Sequence, residues 1–129
     1  MKNTPGTMLA ATTALLLVSG VSFAHHGMGS YDLQRRITVK GTVTTFDFTN
    51  PHVLLHLDVK DDKGHVVKWV AETGSPNIMR RGGWTKNTLK PGDQITLSGQ
   101  PAKNGSPTMR FLKVVLPNGQ VLDPASGFN

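Results

Sequence analysis

The strongest constraint on the fold is the alternation of apolar and polar residues on either side of Asn50-Pro51. Val53, Leu55, Leu57 and Val59 alternate with His52, Leu54, His56 and Asp58. Successive side chains of a strand point to opposite faces, so one apolar and one mixed face mark a half-buried strand. The preceding arm alternates as well, with Ile37, Val39, Gly41 and Val43 on one side and Thr38, Lys40, Thr42 and Thr44 on the other. Two such arms around an Asn-Pro turn predict antiparallel pairing of residues 37–48 with residues 52–60. Gly41 inside the first arm predicts a bulge or sharp bend, as a strand needs when it curls into a barrel.

The rest of the chain extends this pattern. Asp61-Asp62-Lys63-Gly64 is a turn, its glycine able to take a positive φ. Residues 65–72 follow as a third strand, with Val67, Trp69 and Ala71 on one face and Val66, Lys68, Val70 and Glu72 on the other. Ser75-Pro76 fits a helix start, serine as N-cap and proline in the first turn, and Gly82-Gly83 fits its end. Trp84 is expected to pack back on the core. Residues 94–100 and 108–116 read as the fourth and fifth strands, and 120–122 as a short extension. Three strands, a short helix and two more strands define an all-β chain. The order suits a small five-stranded OB-like Greek-key barrel with one short helix between strands 3 and 4. An open antiparallel sheet or a small sandwich is the competing arrangement.

The chain of 129 residues opens with a segment that does not read as part of this domain. Lys2 precedes an apolar run from Met8 to Val21, and Ser22-Phe23-Ala24 places small residues where a signal peptidase cuts. The run is shorter than the ~20 residues a spanning helix needs. The expected organisation is therefore a secretory signal peptide over 1–24, an extended N-terminal arm over 25–34, a β-barrel domain over 35–123 and a loose tail over 124–129. The product is expected in the periplasm or outside the cell, with no transmembrane segment once the signal is cleaved. The chain has no cysteine, which excludes disulfides and lipidation at cysteine. Its net charge of +6 falls by one when Lys2 is removed. The basic residues are dispersed, with Arg35-Arg36 and Arg80-Arg81 as the only pairs. A nucleic-acid binder clusters them, so nucleic acid is not the expected partner.

His25-His26, Gly41-Thr42-Val43, Asn50-Pro51-His52, Gly83-Trp84 and Lys90-Pro91-Gly92-Asp93 together resemble a family of small exported bacterial proteins of unknown function. Its members share a His-His near the mature N-terminus, an Asn-Pro-His turn and a Gly-Trp after a short helix. The resemblance spans nearly the whole mature chain. It implies export and a small β-domain and carries no activity, so function must come from the residues themselves.

Five histidines are present: His25, His26, His52, His56 and His65. Cleavage after Ala24 would make His25 the terminal residue, so that its amine and imidazole can chelate one cation. Nitrogen-rich tetragonal sites suit Cu(II). The arrangement resembles, at this terminal residue alone, the histidine brace of copper oxygenases and copper carriers. A disordered polar arm is the plainer alternative. His52 and His56 share a strand face but stand about 13 Å apart at ~3.3 Å per residue, so they cannot hold one ion together. His52, at the turn, is the preferred partner for an arm. The candidate metal ligands are therefore His25, His26 and His52, for copper before zinc. His56 is expected to pair with Glu72 or to face water, and His65 to be exposed. Met28 is a further soft donor, or a gap-filler. No Gly-x-Ser-x-Gly elbow and no nucleotide loop is present, and the chain is not expected to be an enzyme. A second reading makes the barrel face a ligand-binding module for an oligosaccharide, peptide or small molecule, with Glu72, Trp69 and Phe48 as candidate contacts. A third makes the chain a structural envelope protein with no small ligand.

Overall fold

The computed structural model describes residues 27–125 and, for backbone only, 127–128. His25, His26 and the expected signal segment lie outside the described residues. Five strands make the barrel: β1 (Ile37–Asp47), β2 (Leu54–Lys60), β3 (Val66–Glu72), β4 (Gln94–Pro101) and β5 (Thr108–Val115). One helix, α1 (Pro76–Arg81), lies between β3 and β4. The strands run in the order β3-β2-β1-β4-β5, and a parallel pairing of β3 with β5 closes the barrel. This is the expected OB-like barrel, not the open sheet or sandwich.

The alternating pattern sets the core. Val53, Leu55 and Leu57 of the second arm are no more than 1% exposed. Leu97 of β4, Met109 and Phe111 of β5 and Ala71, the partner of Leu55 on β3, belong to the same core. Trp84 packs back on this core as expected, fully buried, and its indole N–H donates to the Asp123 carbonyl at 3.1 Å. The rings of Phe46, Trp84 and Phe111 form a tilted chain with centroids 6.0–6.1 Å apart.

β1 serves two neighbours. Residues 37–42 pair with β4 and residues 42–47 with β2. The bulge in the β1–β2 ladder falls between Val43 and Thr45, not at Gly41. Gly41 instead marks a close approach, since a Cβ there would stand 2.8 Å from the Asp58 carbonyl oxygen. A second bulge, between Ser98 and Gly99, lets β4 bend against β5. At Gly99 a Cβ would lie 2.3 Å from the Arg110 carbonyl oxygen, so the strands meet there only because the residue has no side chain.

Local signals at the turns are used as read. Gly64 takes φ +81 in the β2–β3 hairpin. Ser75 caps α1, its hydroxyl accepting from the Ile78 N–H at 3.4 Å. The peptide between Asn50 and Pro51 is cis. The two ends of the chain depart from expectation. The arm is not simply extended: Met28–Ser30 forms a 3-10 turn, and Tyr31, 5% exposed, makes a bridge to Ala102. Toward the C-terminal end, part of the segment expected to be loose is paired. Pro124 is buried, and the backbone of β7 (Gly127–Phe128) pairs with β6 (Val121–Asp123), itself paired to β5. Among the described residues, no helix is long and apolar enough to cross a membrane.

Candidate functional site at the barrel mouth

The outer faces of β1, β2 and β3 form a row that the register dictates. Leu54 lies opposite Asp47 on one side and Glu72 on the other. His52 and His56 are two residues before and after Leu54 on the same face, diagonal to both carboxylates. The two histidines divide them. His52 Nδ1 lies 2.5 Å from Glu72 Oε1, and His56 Nε2 lies 3.3 Å from Asp47 Oδ2. Of the two expectations for His56, pairing with Glu72 or facing water, the first is corrected: His56 lies beside Asp47, and Glu72 pairs with the histidine of the turn.

Glu72 has a second partner that sequence reasoning missed. The Tyr31 hydroxyl donates to Glu72 Oε2 at 2.8 Å. Burial, the hydrogen bond to Glu72 and the nearby carboxylate charge push the phenol well above the usual tyrosine range. Both oxygens of Glu72 are therefore engaged, one by the arm and one by the turn. The Glu72 side chain is 16% exposed and that of His52 is 43% exposed, so the chain Tyr31–Glu72–His52 runs from the interior out to solvent.

The arm is held at this mouth by more than Tyr31. The Asp32 amide donates to the Pro101 carbonyl at 2.9 Å and the Lys103 amide to the Ser30 carbonyl at 3.0 Å. Gln100, 8% exposed, donates to the Leu33 carbonyl and accepts from Arg110, each at 3.0 Å. Arg110 stands opposite Glu72 in the parallel β3–β5 pairing. The only available signal for this seat was the single tyrosine of the chain in a segment without periodicity.

The other candidates fall elsewhere. Phe48 is half-buried, packed on Phe46 at 5.8 Å, with the Arg80 guanidinium 5.3 Å from its ring centre. Trp69 is three residues from Glu72 on an extended strand and so faces the other way, where it packs against the core. Glu72, Trp69 and Phe48 do not share one face. His65 is exposed, 3.5 Å from Asp61. Met28 is 53% exposed in the 3-10 turn. Among the described residues, no three His, Asp or Glu side chains converge as a metal cage.

A separate groove of about 800 Å³ crosses the outer face near the far end of β2. Register places Lys40 beside Thr96, Thr42 beside Gln94 and Asp58, and Lys60 beside Val66, and all of these line it.

A closed OB-like barrel with an arm seated on a His-Glu-Tyr chain at its mouth is the class of protein that these features define. The chain belongs to a family of unknown function, DUF6152, whose model matches residues 13–110. No curated protein matches it. Among solved structures it is similar to the crystal structure of the ZRD-deleted mutant of TiaS in complex with agmatine, at TM-score 0.51 and 16% identity. That match covers 72% of this chain and 27% of the other, so the chain spans about a quarter of that protein. At this identity the likeness concerns the fold alone.

Proposed function

We propose that the chain is a small exported bacterial β-barrel protein, not an enzyme, that binds one copper ion at the mouth of its barrel. The ligands are His52 and the histidines of the mature N-terminus, His25 and His26. The observation that carries this reading is the Tyr31–Glu72–His52 chain, which seats the root of the arm beside the histidine of the turn. Met28–Ser30 makes one 3-10 turn, closed by the Ser30 N–H donating to the Gly27 carbonyl at 2.9 Å, so the chain turns directly before Tyr31. His25 and His26 directly precede Gly27 in the sequence. A ligating histidine that gives its other ring N–H to a carboxylate is the usual arrangement around bound metals, and Glu72 supplies that carboxylate. An all-nitrogen set favours Cu(II) over Zn(II), which more often takes tetrahedral sites.

Calorimetric titration with Cu(II) tests the reading on protein beginning at His25, on His52→Ala and on a form with one alanine before His25. Tight one-to-one binding is expected in the first and at least tenfold weaker binding in the other two. Equal affinity in all three overturns it.

The groove supports a second reading, a ligand-binding module. Lys40 and Lys60 outnumber Asp58 in its lining and stand beside the exposed Val66, which suits a small organic anion with an apolar part. A thermal-shift series of medium-chain carboxylates on the protein and on a Lys40→Gln, Lys60→Gln variant separates the readings. A native-state binder raises stability, and a shift lost only in that variant favours the groove.

A further inference from the structure

The Tyr31–Glu72–His52 chain joins two things that the fold could have left independent: the seat of the arm and the orientation of one imidazole. A carboxylate accepts hydrogen bonds and does not donate them. The partner of Glu72 Oε1 is His52 Nδ1 at 2.5 Å, so the ring proton belongs on Nδ1. In a neutral imidazole the lone pair then belongs to Nε2, the nitrogen on the far side of the ring from Glu72. The other oxygen accepts from Tyr31, whose backbone is bridged to Ala102 and whose neighbour Asp32 donates to the Pro101 carbonyl. Glu72 itself ends β3, at the parallel seam with β5 where Arg110 stands beside it. The carboxylate is thus fixed by the barrel and shared by the arm and the turn.

We propose that Glu72 is a positioning residue: with one carboxylate oxygen it holds His52 in the Nδ1-protonated tautomer, and with the other, through Tyr31, it holds the seat of residues 27–34. As a role in a copper site this rests on the function proposed above, since Nε2 is the atom that would ligate. As a statement about the ring and the arm it needs no metal. His56 provides a contrast within the same row, because Asp47 meets it at Nε2 and not at Nδ1. One strand face therefore carries two imidazoles held from opposite sides.

The test is nitrogen NMR of the histidine rings in metal-free protein, at one pH at which the rings are neutral, with hydrogen exchange on the same samples. In the unaltered protein His52 should show a protonated Nδ1 and an unprotonated Nε2. Glu72→Gln should move its population toward the Nε2-protonated form that imidazole prefers in water. The His56 signals should stay where they are, which separates loss of orientation from loss of fold. Tyr31→Phe should keep the His52 tautomer and speed exchange of the Asp32 and Lys103 amides about tenfold or more, the effect of losing a hydrogen bond to a charged partner. A His52 ring protonated on Nε2 in the unaltered protein overturns the proposal. So does a tautomer ratio unmoved by Glu72→Gln, or arm exchange unmoved by Tyr31→Phe. A Cu(II) titration of the same samples keeps the two ideas apart. Absent copper binding sinks the copper site while these metal-free readouts still judge Glu72.

Discussion

Tyr31 shows how much one side chain decides here. Its phenol is buried against Glu72, and its pKa is raised accordingly. The sign of the pH effect follows. The unfolded chain loses the phenolic proton near the ordinary value of about 10, while the folded protein keeps it to higher pH. The contribution is complete below about pH 10 and is lost as pH rises from there. Urea unfolding across the alkaline range should therefore fall more steeply for the unaltered protein than for Tyr31→Phe. Parallel curves would show that the phenol does not titrate differently in the two states. Leu55 is the opposite case, a core residue with no exposure. Leu55→Asp would bury a charge with no partner and should abolish the cooperative unfolding transition seen by circular dichroism. At this scale the sequence was readable wherever period 2 applied: Val53, Leu55 and Leu57 lie inward, as their alternation requires. It was not readable at Tyr31, which sits in a segment with no period. Nor could alternation choose between His52 and His56 as the partner of Glu72. Both are diagonal to it, and the choice depended on Asp47 claiming His56.

Among the elements, the strands and the helix fall within two residues of their expected places, because glycine, proline and serine punctuate them. Ser75 caps α1 and Gly83 takes φ +87 after it. What sequence could not locate were the irregularities inside the ladders. Gly41 promised a bulge or a sharp bend, but the bulge sits further along the strand, between Val43 and Thr45. A glycine at a bulge and a glycine at a close approach look alike in sequence. Gly99 combines both roles, with the Arg110 carbonyl oxygen 2.3 Å from where a Cβ would be. The obstacle is backbone and cannot swing aside. Gly99→Ala should therefore cost about 1–3 kcal/mol, the usual range for forced overpacking, read as a lower urea midpoint. Gly27→Ala, where nothing lies within 4 Å, should leave the midpoint unchanged. The β6–β7 pairing was invisible for a different reason. Strands of three and two residues are too short to show a period.

For the whole molecule, the order of three strands, a helix and two strands was enough to favour the closed barrel, since a helix in that place bridges to β4 while β3 and β5 close the seam. The candidate site was legible only in part. His52 and Glu72 stood out as a histidine at a turn and a carboxylate at a strand end, but their pairing is a product of register across three strands. In the proposed copper site His52 and a terminal His25 hold one ion. The most direct measurement is electron paramagnetic resonance of the one-to-one Cu(II) complex of protein beginning at His25, with the histidine rings nitrogen-labelled. The expected result is a tetragonal signal with coupling to several nitrogens, one of which disappears in His52→Ala. A signal identical in the two proteins, and matching that of a short His-His peptide, would place the copper on the arm alone and contradict a site at the barrel mouth.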